Sequence, residues 1–294
     1  MTELPRGVIA DTLNRKHRRV ERGEKSDDRP LLHVSSLIRS DANNFFCPRE
    51  VVLRYMERRQ SEGGGIPPKQ SLLWAVGHFY GDYVVHQFIR RNPEWAKYAW
   101  GDWACRGGCT TIHRQCYHEV QGRTCEDCGL AIDCYREVDL FNPAGTVIGH
   151  ADLIFNVDEH YYIYEFKSID RADVVFAEIA DPLGDHLVQA SNYYYMLKDE
   201  GKRVSRAIRF VYIDRSMEGL WTQQPFREVV GRAIPRRRLA NFYRRAKAVH
   251  DGIENGVLPQ RVCEDISCSR ATQCTVAVSC FSRTKNKIRR IPSE

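Results

Sequence analysis

The chain has 294 residues, of which 43% are hydrophobic and 28% charged, and a formal net charge of +6. This composition excludes a disordered or fibrous chain, and the length allows one large domain with insertions or two smaller ones. No stretch approaches the ~18 apolar residues of a membrane span, and the mild basic excess suits a polyanionic partner.

In chain order, residues 1–33 are polar and rich in Arg and Lys, and read as a mobile basic arm. They hold no apolar core of signal-peptide type, so a cytoplasmic protein without a membrane partner is expected. Residues 34–97 form an N-terminal helical segment. Its pattern starts at Val34, with Ser35 or Ser36 as the cap, and the Gly/Pro-rich run SEGGGIPPKQ at 61–70 is a loop. Apolar residues return at helical spacing over 71–91.

Residues 98–135 are rich in Cys, Trp, Gly and His and poor in aliphatics, as a metal-nucleated insertion would be. A core over 136–225 follows. Its β-branched and aromatic runs at 136–141, 146–157 and 160–169 are separated by NPAG and DE, and predict a three-strand antiparallel meander. Helical spacing over 183–199 precedes further strands at 206–213 and 219–226. The last segment, 226–294, is expected to open with a long basic helix over 226–252, interrupted near Pro235. Helices, strands, helix, strand and helix in that order fit a central mixed sheet flanked by helices, an α/β fold.

Eleven cysteines are many for a reducing compartment, where metal ligation is a better default than disulfides. Six fall between 105 and 134, four between 263 and 280, and Cys47 stands apart, which implies two metal centres. Cys105-x3-Cys109 and Cys125-x2-Cys128-Gly129 are two knuckles of zinc-ribbon type, suited to tetrahedral thiolate ligation of Zn²⁺. Cys116, Cys134, His113 and His118 are further candidate ligands, and a second cluster is the alternative to zinc.

The chemistry concentrates in GHAD at 149–152, YEFKS at 164–168 and QASNY at 189–193. On a strand, Glu165 and Lys167 point to one face, and a hairpin turning near Asp158–Glu159 sets Asp152 beside Glu165. Two ionised carboxylates side by side repel, and a hard cation, Mg²⁺ or Mn²⁺, removes that cost. Lys167 is placed to position water or to stabilise developing negative charge. Gln189 and Tyr193, four apart on a helix, share a face and reach the same cleft. His78, Asp82 and His86, also spaced by four, share another helix face.

G-x-x-D, E-x-K and Q-x-x-x-Y in this order resemble the PD-(D/E)XK nucleases of the RecB-like branch, which includes the CRISPR-associated Cas-four exonucleases and phage relatives. The resemblance runs from about Val34 to about Phe281. It implies a restriction-endonuclease-like core and a histidine ligand beside Asp152 and Glu165, with His86 favoured over His78. It also implies an iron–sulfur helical subdomain, in which one leading cysteine and three trailing ones hold a [4Fe–4S] cluster. FFCPREVVLRY places Cys47 as the leading ligand, and Cys274-x5-Cys280 matches the trailing pair. Ala271 occupies the place of the remaining ligand, so Cys263 or Cys268 serves instead, with Cys263 favoured. Such a crosslink closes a loop of over two hundred residues, worth about 5 kcal/mol by chain entropy.

Arg236, Arg237, Arg238, Arg244 and Arg245 are candidate phosphate contacts, and a basic tail follows from Arg283. Trp74, Tyr80 and Tyr83 are aromatics able to stack on unpaired bases. The expectation is a Mg²⁺- or Mn²⁺-dependent deoxyribonuclease acting on DNA ends, chiefly single-stranded. Recombination, phage replication or CRISPR spacer acquisition, with the matching partner proteins, are the implied settings, and an oligomer is open. A non-catalytic DNA-binding or adaptor protein that keeps the fold is the alternative.

Overall fold

A computed structural model describes residues 32–38, 46–60, 84–107, 109, 113–169, 176–214 and 226–282. The basic arm, His78, Asp82, Trp74, Tyr80, Tyr83 and the tail from Arg283 lie outside the described residues. The fold is mixed α/β. Two compact units divide the chain, one of residues 1–30, 41–76 and 242–294 and the other of residues 31–40 and 77–241. Among the described residues, no helix is long and apolar enough to cross a membrane.

Among the described residues, the larger unit is built on three sheets. In the first, β1 (Leu32–His33) pairs parallel with β6 (Val147–Ala151), which pairs antiparallel with β5 (Val138–Phe141). The second runs in the order β11 (Phe226–Arg232), β10 (Ala207–Asp214), β8 (His160–Ile169), β7 (Leu153–Val157), and β9 (Arg203–Val204) also pairs with β8. β8 and β10 are parallel, whereas β7–β8 and β10–β11 are antiparallel. The third sheet is the cysteine-rich insertion, β3 (His113–Cys116), β2 (Trp100–Cys105), β4 (Ile132–Arg136), antiparallel throughout.

Two expectations are corrected here. The run 146–157 is not one strand of a meander: it ends one strand at Ala151 and begins another at Leu153, in two different sheets, with Asp152 at the break. The run 226–252 is not one basic helix. Phe226–Arg232 alternates exposed and buried positions and pairs with β10, so period two prevails over helical spacing there. A 3₁₀ turn at Arg236–Leu239 and the helix Ala240–Glu254 follow Pro235.

The β7–β8 hairpin closes on Asp158 and Glu159, with φ of 51° and 61° and Val157 paired to His160. Two left-handed residues in a two-residue loop match the right-handed strand twist. The insertion docks on β7 through an Ala99–Phe155 bridge and an Asn156 N–H bond to the Tyr98 carbonyl at 2.7 Å. Trp103, Tyr135, Leu153 and Phe155 share one buried cluster with Val85 and Ile89. The Tyr135 hydroxyl accepts from Ile154 N–H at 3.3 Å and donates to the Trp100 carbonyl at 3.4 Å.

The helix Gly184–Asp199 packs over β6, and one glycine sets how closely. A Cβ on Gly149 would lie 2.3 Å from Tyr193 Cε1 and 3.2 Å from Val34 Cγ2. Tyr193 is buried, so it has little room to move aside. Gly149→Ala is therefore expected to destabilise the fold by about 1–3 kcal/mol, as overpacked cores do. Urea denaturation of wild type and variant checks this.

Candidate functional site

The two hairpin registers converge on Asp152. Leu153 pairs with Tyr164 on β8, so one further step sets Asp152 opposite Glu165. The Asp152 carboxylate accepts the Phe166 N–H at 2.6 Å, which fixes it against the backbone of E-x-K. Glu165 and Lys167 alternate onto one face, with Phe210 and Tyr212 of β10 as their register partners. Lys167 Nζ lies 2.8 Å from Glu165 Oε2.

Glu165 has no exposed surface, and the Lys167 ammonium is the partner its carboxylate meets there. Burial, then the neighbouring Asp152 charge, push its pKa up to about 8, against the opposing pull of Lys167. At Lys167, burial disfavours the ammonium but is outweighed by Glu165 and Asp152, so its pKa rises. Tyr193 is pushed well above the ordinary phenol range, first by burial and then by Glu165. Gln189 Nε2 donates to the Tyr193 hydroxyl at 2.6 Å. Asp152, Glu165, Lys167, Gln189 and Tyr193 are thus brought together.

His86 is placed differently. Its Nε2 lies 3.0 Å from the Tyr135 carbonyl, to which it donates, so Nδ1 is the nitrogen that carries the lone pair. His86, Asp152 and Glu165 do not form a trio of donor atoms within 4.8 Å of one another. Glu137, which the sequence reading passed over, acts electrostatically on Glu165, Lys167 and Tyr193. It lies in an ordinary-looking strand run, and only the strand register could have singled it out.

In the insertion, Cys105, Cys109, Cys125 and Cys128 present sulfurs that all lie within 4.8 Å of one another, a group that could hold a metal ion. Cys105 and Cys128 sulfurs are 3.6 Å apart. The second knuckle closes because Gly129 takes φ of 73° and its N–H bonds to the Cys125 carbonyl at 2.8 Å. A Cβ on Gly107 would sit 2.9 Å from Cys128 Sγ, so the first knuckle also needs a glycine. A hydrogen bond from the Cys109 backbone, working against burial, draws the Cys105 thiol down to about 6. Cys116, Cys134, His113 and His118 are not part of this group. Cys116 is buried, Cys134 contacts Asp133, and His118 Nδ1 lies 3.1 Å from the Lys97 carbonyl.

In the smaller unit, Cys47, Cys263, Cys274 and Cys280 line one small cavity. No three of these sulfurs fall within 4.8 Å of one another. Cys268 does not line the cavity, and its sulfur accepts the Ala271 N–H at 3.3 Å. Arg49, almost wholly buried, donates to the Pro259 carbonyl at 3.0 Å and the Cys280 carbonyl at 3.5 Å. Glu50 pairs with Arg54 at 2.7 Å and Arg270 at 3.3 Å, so the helix Pro48–Gln60 is tied to the C-terminal segment.

Among the basic candidates of the larger unit, Arg236 is committed to Asp199 at 2.6 Å and lies over the Tyr195 ring at 4.6 Å. Arg237 and Arg238 are exposed. In the smaller unit Arg244 is exposed, and Arg245 lies over the Phe46 ring at 4.8 Å.

No family model and no curated protein matches the chain. Among solved structures it is similar to the crystal structure of SSO0001, at 16% identity and a TM-score of 0.41, over 94% of this chain and 97% of that one.

The raised pKa of Glu165 has a signed consequence. Its contribution to stability is fully present below the unfolded carboxyl value near 4.5 and is lost as pH rises through about 8. In cation-free buffer the wild type is expected to lose up to roughly 1 kcal/mol per pH unit from this group across that window. Glu165→Gln should flatten that part of the slope, measured as melting temperature against pH. The wild type is expected to carry a metal ion at the four sulfurs and Cys125→Ser to lack it, which elemental analysis of the two purified proteins checks.

Proposed function

We propose that the protein is a metal-dependent deoxyribonuclease of the RecB-like PD-(D/E)XK type, acting on DNA ends. The observation that carries this reading is the convergence of Asp152, Glu165 and Lys167 at one strand break, with the Glu165 carboxylate fully buried against the Lys167 ammonium. Two adjacent carboxylates with oxygen donors suit Mg²⁺ or Mn²⁺. The bound cation supplies water activation and neutralises charge on the scissile phosphate.

The protein's own groups divide the remaining work. Asp152 and Glu165 hold the cation, and the Phe166 N–H orients the Asp152 carboxylate. Lys167, kept charged by two carboxylates, offers a fixed positive group to the attacking water and the phosphate oxygens. Tyr193, locked by Gln189 and admitted by Gly149, walls the site from the helix side. Arg237 and Arg238 are available for phosphates, whereas Arg236 serves its own fold first.

The cysteine sets fit two different centres. Tetrahedral Zn²⁺ with bonds of ~2.3 Å spaces its thiolates roughly 3.8 Å apart. The Cys105–Cys128 distance of 3.6 Å suits that ion. A [4Fe–4S] cluster interposes iron and sulfide between its ligands and spreads them wider. Cys47, Cys263, Cys274 and Cys280 have that looser arrangement around one cavity, which favours Cys263 over Cys268 as the fourth ligand.

End-labelled single-stranded DNA should be degraded in the presence of Mn²⁺, and Lys167→Ala should slow this by about 10²-fold or more. Equal rates in the two proteins would remove the active-site assignment and leave the non-catalytic DNA-binding reading. Anaerobically purified protein should also show a visible absorption band that Cys47→Ser abolishes and Cys268→Ser retains.

A further inference from the structure

The second sheet ends on β11, and the hydrogen bonds of that strand turn one row of its backbone groups away from the sheet. The Ala233 N–H bonds to the Arg206 carbonyl at 2.8 Å, which fixes these two residues as a hydrogen-bonded pair. Counting back along the same antiparallel register, Gly231, Val229 and Arg227 direct their backbone groups to β10. Phe226, Glu228, Val230 and Arg232 direct theirs outward, and no strand among the described residues pairs with them there. The same four residues carry the exposed side chains, with Phe226 at 51% and Val230 at 50%. Edge strands are ordinarily guarded by proline, lysine or a bulge. The sequence FREVVGR has neither residue, and its register with β10 is unbroken.

We infer that β11 is an interface between two copies of this chain, paired antiparallel about a two-fold axis at Val230. A closed two-fold requires each patch to meet itself. An outward row pairs only with an outward row, so the axis passes through a residue rather than between two. Opposite charges directly across an antiparallel pair stabilise it, and like charges oppose it. An axis at Glu228 sets the two glutamates against each other, and an axis at Arg232 sets the two arginines. An axis at Val229 puts Glu228 against Val230, and an axis at Gly231 puts Arg232 against Val230, so neither matches the charges. With the axis at Val230, Val230 meets its own copy, and Glu228 faces Arg232 of the second copy on both sides. Arg209 of β10 already holds Glu228 at 2.6 Å. Each Glu228 then lies between its own Arg209 and the second copy's Arg232. The sheet β11-β10-β8-β7 becomes half of one continuous sheet through both copies.

The test is sedimentation equilibrium of the full-length protein, with a wild-type dimer expected at micromolar concentration. Val230→Lys sets two ammonium groups face to face at the axis and should weaken the dimer by about tenfold or more. Arg232→Glu should weaken it by about tenfold, and adding Glu228→Arg should restore it to within about threefold, because the opposed charges are then reversed but matched. The Arg209–Glu228 pair lost in the double variant is exposed and contributes little to the fold. Circular dichroism of each variant should match the wild type, since the substituted side chains are exposed. A wild type that stays monomeric up to about 100 µM overturns the inference. So does a dimer unmoved by Val230→Lys, because the copies then meet elsewhere. A double variant as weak as Arg232→Glu rejects the register and the proposal with it. If Val230→Lys does not fold, Arg232→Glu and its rescue decide alone.

Discussion

A carboxylate with no exposed surface, set beside a second carboxylate and a single ammonium, is the constraint on which the centre of this molecule depends. Burying an ion costs several kcal/mol even after relaxation. Lys167 offsets part of that cost at Glu165, but Asp152 adds to it. Such a local arrangement persists only where the surrounding fold leaves it no alternative. The β7–β8 hairpin with its two-residue turn fixes one side. The helix Gly184–Asp199, brought close over Gly149, fixes another. The site is therefore held by packing and register rather than by its own interactions.

The break at Asp152 is the means by which two sheets contribute to one place. Had the run 146–157 continued as one strand, Asp152 would be one ladder position among many. Ending β6 at Ala151 and starting β7 at Leu153 frees the Asp152 carboxylate to accept the Phe166 N–H. That bond ties the aspartate to the backbone between Glu165 and Lys167. The short sequence E-F-K therefore does two jobs, with side chains pointing one way and a backbone donor holding the partner acid.

Much of this arrangement is legible in the sequence, and the parts that are not have physical causes. The hairpin turn is written in Asp158–Glu159 between two β-branched and aromatic runs. The pairing of Asp152 with Glu165 follows from counting outward from that turn. The knuckle geometry is written in Cys125-x2-Cys128-Gly129, where glycine is the residue that takes the positive φ. What escapes a linear reading is pairing between segments not joined by a short turn. Glu137 becomes visible only through the β5–β6 register, and nothing local distinguishes it from a solvated strand residue. His86 shows the converse: its helical spacing is legible, whereas the backbone carbonyl of the insertion that takes its Nε2 is not. The basic run after Pro225 misled because charge was read before alternation, and Phe226–Arg232 is an edge strand with Phe226, Glu228, Val230 and Arg232 on its exposed face.

On the proposed reading, the distribution of ligands along the chain follows from hardness. Oxygen donors gather at the sheet junction and sulfur donors in the insertion and in the smaller unit, with no described cysteine near Asp152 or Glu165 in either set. A mixed oxygen–thiolate site would bind zinc and iron more tightly than magnesium or manganese, because soft ligands and the ordinary affinity order both favour the later metals. Separating the two donor types into different segments lets one polypeptide hold strongly bound structural metals while its hydrolytic site keeps an exchangeable hard cation.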